Sequence, residues 1–232
     1  MTTDRTTLLA PVVLAGLLLG TAACSSAGGT DGPSAGGKLS FATLKSAVRD
    51  LGPDPACPFG LDLAGALRAA GIERAVTPAA GPDRAVRAEV VPPEEARPLP
   101  SGPASGPATA PARPESVQVW CSYTAGTTPV EIGVLAAPAE RIAVNLALPY
   151  IQRAGGLTPD QLVTVSADQP APGRATTAPG RGSVAVARLP VADRGDLALL
   201  VSQGTGAASP DAALTGEPLR TVAERLAAQL HL

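Results

Sequence analysis

The chain has 232 residues, a net charge of -2 at pH 7, and only two Phe, two Tyr and one Trp. So weak a charge excludes a nucleic-acid or anionic-lipid surface, which needs a basic patch, and a single histidine excludes a histidine-rich zinc site. A core must come from Leu, Val, Ile and Ala, and the length predicts one domain with flexible appendages.

The chain opens with Arg5 in a short basic region, then runs uncharged and mostly apolar for 13 residues, Leu8 to Gly20, before Thr21, Ala22, Ala23 and Cys24. This is the order of a secretory signal. The apolar run is too short for a membrane span, which needs roughly 20 residues. Gly20-Thr21-Ala22-Ala23-Cys24 resembles the lipobox of bacterial lipoproteins. The resemblance implies cleavage after residue 23 and a diacylglycerol on the Cys24 thiol, which anchors the chain at the extracytoplasmic face of the cell membrane. Two acyl chains hold a protein stably where one does not. Residues 25–37 (SSAGGTDGPSAGG) read as a flexible tether, with an end-to-end distance of about 20 Å.

The elements of residues 38–232 follow in order. Ser40 caps a helix carrying Phe41, Leu44, Val48 and Leu51, stopped by Gly52-Pro53. A second helix starts at Asp62, with Leu63, Ala66, Leu67 and Ala70 on one face and Gly71 at its end. Val86, Ala88 and Val90 alternate with Arg87 and Glu89 as a strand. Residues 92–115 hold eight prolines and read as an exposed extended loop, with Glu94-Glu95 a solvated acidic pair. Val117–Tyr123 and Val130–Leu135 form a hairpin around Gly126. A helix begins near Pro138, uses Ile142, Leu146 and Ile151, is kinked or shortened by Pro149, and ends by Gly155-Gly156. Gln161–Val165 reads as a further strand. Strands follow at Ser183–Leu189 and Leu197–Ser202, joined by Asp193-Arg194-Gly195. The last helix carries Leu219, Val222, Leu226 and Leu230 after Glu217-Pro218. This order predicts an α+β fold, an antiparallel sheet with helices packed on one face.

With Cys24 lipidated, Cys57 and Cys121 remain, and an even pair in an exported chain predicts a disulfide. A metal or redox pair would need further ligands or C-x-x-C spacing. Closing a loop of this length contributes about 4 kcal/mol in the chain-entropy model. Pro55-Ala56-Cys57 before an amphipathic helix, Trp120-Cys121-Ser122-Tyr123 on a strand, and a closing helix together resemble the small envelope lipoproteins of actinobacteria. Arginine outnumbers lysine 16 to 2, which fits a high-GC source. The resemblance spans most of residues 50–232 and implies an envelope-facing α+β domain. It brings no catalytic residues with it.

Other constellations reduce to structure. His231 sits one residue from the C-terminal residue, a poor mount for the imidazole of a triad. Gly180-Arg181-Gly182-Ser183-Val184-Ala185 has the letters of a dinucleotide fingerprint, but a strand follows where a helix is needed. Gly204-Thr205-Gly206 likewise reads as a turn. Asp50, Asp54, Asp62, Asp193 and Asp196 supply carboxylates for a glycosidase, yet caps and turns account for each. Trp120 and Tyr123 either line a site or pack in the core. Packing of Trp120 on the disulfide is the simpler expectation, although position 120 should face away from 121 on a strand.

The resulting expectation is a non-enzymatic binding or accessory domain, with no cofactor or metal and with an envelope protein or small ligand as partner. One alternative is a carrier of lipid or another apolar ligand, with a sheet–helix cavity lined by Leu and Val. Another is a carboxylate-based envelope hydrolase.

Overall fold

The computed structural model describes residues 39–53, 55–79, 86–98, 109–110, 112–204 and 209–230. The expected signal segment, Cys24, the tether, Asp54 and His231 lie outside these residues. In chain order the elements are α1 (Phe41–Arg49), α2 (Leu63–Ala69), β1 (Val76–Pro78), β2 (Val86–Val91), β3 (Arg97–Pro98), β4 (Thr109–Ala110), β5 (Ser116–Ala125) and β6 (Thr128–Ala137). They continue with α3 (Ala143–Gly155), α4 (Pro159–Ala167), β7 (Ala175–Thr177), β8 (Val184–Leu189), β9 (Asp196–Ser202), a 3-10 turn at Ala212–Leu214, and α5 (Gly216–Gln229). The class is α+β, as the sequence predicts.

Local chemistry sets most of the boundaries. Ser40 and Thr43 form a capping box at the start of α1. The Asp62 carboxylate accepts the Gly65 N–H to begin α2. At its end Gly71 takes φ +77°, so that its N–H reaches the Arg68 carbonyl and the Ile72 N–H reaches that of Leu67. That pair of bonds closes the helix as a Schellman motif, with Ile72 and Leu67 both buried. Between β5 and β6, Ala125 pairs with Thr128, leaving Gly126 and Thr127 as a two-residue turn with Gly126 at φ +64°.

Three expectations need correction here. Gln161–Val165 is not a strand but part of α4, because Thr158 and Gln161 form a capping box and Pro159 occupies the first helical turn. The helix expected from Pro138 begins at Ala143. It runs through Pro149, whose ring is exposed and whose missing N–H removes the helical bond to the Asn145 carbonyl. The face it buries is Val144, Ala147, Ile151 and Ala154, not the row through Ile142 and Leu146.

The sheet is antiparallel throughout. β1 and β2 both pair with β5, and the order continues β5-β6-β9-β8-β7. Its helices are not confined to one face. Leu44 of α1, Leu63 and Leu67 of α2, and Leu219, Val222 and Leu226 of α5 pack with Val119, Cys121, Ile132, Leu199 and Val201. On the opposite face, Val144, Ala147 and Ile151 of α3 pack with Leu135, Val186, Ala198 and Leu200. The physical reason lies in β8 and β9. Every residue of β9 is buried and so is every residue of β8 except Arg188, so both sides of these strands require cover.

Residues 92–115 join β2 to β5, which pair from Val86–Cys121 to Val91–Ser116. The pairing carries on beyond the strand ends, with a bridge between Glu94 and Arg113 and the short β3–β4 ladder of Arg97 with Ala110. The proline-rich segment is therefore, at its base, an extension of the β2–β5 hairpin and not an unpaired loop. Residues 99–108 fall outside the described residues.

Two long-range staples hold the domain. The Cys57–Cys121 disulfide, with a Cα–Cα distance of 5.7 Å, ties the segment before α2 to the middle of β5. A polar staple pins the connection from β9 to α5. Asp211 Oδ2 accepts from the Arg74 guanidinium and, at 2.7 Å, from the Thr128 hydroxyl. The buried Gln203 side chain donates to the carbonyls of Asp211 at 3.0 Å and Leu214 at 2.8 Å. The hydrogen bond from Arg74, then that from Thr128, holds the Asp211 carboxyl well below the ordinary carboxylate range.

Reducing the disulfide should cost about 2–5 kcal/mol of stability, read as a lower urea midpoint with and without reductant. Because the folded-state pKa of Asp211 is depressed, its contribution is complete above the unfolded value of about 3.9 and is lost as pH falls toward the folded value. Urea titrations should therefore show Asp211→Asn less stable than the parent chain at pH 6, with the gap narrowing as the pH is lowered through 4.

Candidate functional site

The two-residue period of β5 sends Cys121 and Trp120 to opposite faces. Cys121 is buried under α1, α2 and α5 with the disulfide, whereas Trp120 packs on the α3 side. The expectation that Trp120 packs on the disulfide is thus overturned. Tyr123, three positions further on, shares the disulfide face and packs against its core. Trp120 and Tyr123 cannot line one site.

The partner of Trp120 is Tyr150 of α3, with ring centroids 4.4 Å apart and planes tilted by 43°. Beneath the indole, β6 places Gly133 directly across the ladder from Trp120. A Cβ at that position would lie 2.5 Å from the indole Cζ3, so the ring sits where only glycine leaves room. The indole N–H donates to Gln118 Oε1 at 3.4 Å.

Tyr150 is fixed from the other end. Its hydroxyl donates to Glu131 of β6 and shares a hydrogen bond with Ser202 of β9. Burial, then the adjacent Glu131 carboxylate, pushes the phenol far above its ordinary pKa, so it remains a neutral donor. Arg87 of β2 approaches Glu131 to 3.7 Å. The ring of Tyr150 is therefore a wall held in place, and its hydroxyl is already committed.

Around this pair lies an open cleft of about 400 Å³ between α3 and the β2–β5 edge of the sheet. Trp120, Tyr150, Leu146 and Pro149 supply apolar surface, and Arg87, Glu89, Gln118 and Arg153 supply polar groups. A second depression of about 180 Å³ shares Gln118, Leu146 and Pro149 with it and continues to Glu94 and Arg113 at the base of the proline-rich arm. The cleft exists because α3 covers β6, β9 and β8 but stops short of β5 and β2. A third cavity, about 200 Å³, lies between α4 and β7 and includes Val144, Val165 and Val186. It is smaller than the roughly 300 Å³ at which ligand sites begin.

The remaining sequence candidates are structural where the structure describes them. Asp62 caps α2, and Asp50 is the C-terminal cap of α1. Asp196 is buried, accepts from Arg188 Nη2 at 2.9 Å, and receives the Ala143 N–H at 2.9 Å in place of a side-chain cap on α3. Asp193 is exposed in the turn before β9. Gly180 and Gly182 adopt φ +86° and +67° in the turn that leads into β8, with no helix following. Among the described residues no cluster of His, Cys, Asp and Glu is arranged to hold a metal ion. Tyr150, Glu131, Ser202 and Arg153 were not legible as site residues in the sequence. The signal for Tyr150 was its place on the α3 face that meets Trp120, which requires the helix packing to be known.

Gly133→Ala should displace the indole and cost about 1–3 kcal/mol, as overpacking does. Because Trp120 is the only tryptophan, a shifted emission maximum together with a lower urea midpoint is the expected readout.

In comparisons with known proteins, the sequence matches no family model and no curated protein, and the fold matches no solved structure.

Proposed function

We propose that the protein is a membrane-tethered, non-enzymatic binding domain of the cell envelope, anchored through a diacylated Cys24, which holds its ligand in the cleft of Trp120 and Tyr150. One observation carries the binding reading. In a chain with 2% aromatic residues, the sole tryptophan and one of two tyrosines meet at the wall of an open cleft, half-buried against the α3-side core. Large aromatic surfaces with a polar handle are what binding sites concentrate. The anchor rests on the lipobox resemblance of Gly20–Cys24 and on two unlipidated cysteines that are already paired with each other.

The same geometry argues against the alternatives. The Ser202 side chain is fully buried, and the Tyr150 hydroxyl is engaged by Glu131, so neither is poised as a nucleophile. The Asp62 and Asp196 carboxylates are occupied as caps, and Asp50 lies exposed at the end of α1. A lipid carrier needs a cavity lined by Leu and Val, whereas the main cleft presents Arg87, Glu89 and Arg153.

The test is intact-mass and lipid analysis of full-length protein from native membranes in mild detergent. The expected product begins at Cys24, carries acyl chains on it, and shows changed Trp120 emission on adding a cell-envelope extract. An unlipidated soluble chain overturns the anchor. Emission indifferent to the extract overturns the cleft, hydrolysis of cell-wall or ester substrates overturns the non-enzymatic reading, and a co-purified free lipid favours the carrier.

A further inference from the structure

Resting on the binding reading, we infer that the groove takes a linear, uncharged glycan chain, with a sugar ring against Trp120 and the chain running toward Glu94 and Arg113. Four observations on the groove select this class.

The first is its floor. The ring centroids of Trp120 and Tyr150 lie 4.4 Å apart, which leaves no slot into which a flat heteroaromatic ring could slide between them. What remains is the outer aromatic surface, suited to a ligand that lays one apolar face on a ring and points polar groups sideways. The C–H face of a pyranose with its equatorial hydroxyls has this shape. The second is the rim. The side chains of Arg153 and Glu89 make no hydrogen bond or ion pair among the described residues. Together with the Gln118 amide they offer planar donors and acceptors around the rings, the pattern that hydroxyl pairs satisfy.

The third is charge. Arg87 and Arg153 are balanced by Glu89 and by Glu131, which lies 3.7 Å from Arg87. A phosphate or polyanion would need an excess of positive charge, and a quaternary ammonium an excess of negative. A neutral ligand needs neither. The fourth is backbone. The groove lies over the face of β2 and β5 from which Arg87, Glu89, Gln118 and Trp120 project, whereas the backbone groups that β5 leaves unpaired lie along the outer edge of β2. Peptides that bind by strand addition need free backbone groups at an edge, and this face presents side chains. The shape agrees, since the 400 Å³ cleft and the 180 Å³ depression share three residues and form one elongated path. That suits a chain of sugars better than a single one.

The experiment titrates the full-length protein in detergent with chitotetraose, maltotetraose and mannotetraose. Each is compared with its monosaccharide, with pentaalanine and with inorganic phosphate, by calorimetry and by Trp120 emission. At least one tetrasaccharide should bind and shift the emission, its monosaccharide should bind about tenfold or more weakly, and Trp120→Ala should cost about tenfold or more in calorimetric affinity. Arg153→Ala and Glu89→Gln, both at exposed positions, should each weaken binding several-fold with an unchanged circular dichroism spectrum. They carry the test if Trp120→Ala does not fold. No tetrasaccharide bound at millimolar concentration, or binding that survives both rim changes, overturns the inference. A response to pentaalanine or phosphate alone overturns the glycan class and leaves the cleft as a binding site. No response to any probe or to the envelope extract removes both.

Discussion

Cover on both faces of β8 and β9 is the constraint from which the rest of the arrangement follows. Ala185, Ala187, Leu197, Leu199 and Val201 look toward α5 and its neighbours, and Val184, Val186, Ala198 and Leu200 look toward α3. Strands this apolar on both sides are stable only between layers, because each fully buried Leu or Val is worth roughly 1.5–3 kcal/mol over its exposed state. Three helices close one side. On the other, α3 spans the width of β6, β9 and β8 and goes no further. The uncovered strip on β5 and β2 is accordingly the one part of the sheet where Arg87, Glu89, Gln118 and Trp120 can point outward without leaving a hole in the core.

That division makes β5 the strand on which stability and binding meet. Val117, Val119 and Cys121 belong to the inner layer, with the disulfide locking the strand to the region before α2. Gln118 and Trp120 project the other way, into the groove. Glycine at position 133 is the enabling detail, since the indole lies over it, and Tyr150 is in turn held by Glu131 and Ser202 from the two strands beyond. The cleft is thus built on paired strands and a helix, elements that hold side chains more rigidly than loops do. Arg87 and Glu89 serve a second purpose as well. Charged side chains on an outer strand discourage edge-to-edge pairing with another sheet.

The rigidity of the domain rests on few polar interactions, each placed where the chain must cross between layers. Asp196 links β9 to both Arg188 and the first N–H of α3. Arg74, Thr128, Asp211 and Gln203 secure the return from β9 to α5. Charged partners of this kind matter most when partly buried, where an unpaired group would be costly. A core built without many aromatic rings gains from such staples, and from the covalent one.

Much of the fold was legible in the sequence because it is decided locally. Ser40, Asp62, Gly71 and Gly126 act through their own backbone neighbours, and the periodicities of Leu219–Leu230 and Val117–Tyr123 report helix and strand directly. The pairing of Cys57 with Cys121 followed from counting thiols. The Thr158-Pro159 start with Gln161 that makes α4 a helix is equally local, and the unbroken apolar runs of β8 and β9 imply cover on both faces. The cleft is a different matter. Alternation along β5 could say that Trp120 and Cys121 part company, but not what each would meet. Tyr150 joins Trp120, and Glu131 and Ser202 join Tyr150, only through the packing of α3 across strands 19 and 52 residues away in sequence. Capping, turn chemistry and alternation are properties of neighbouring residues. A binding surface is a property of how far one helix reaches across a sheet, and that is settled only when all the layers compete for the same buried space.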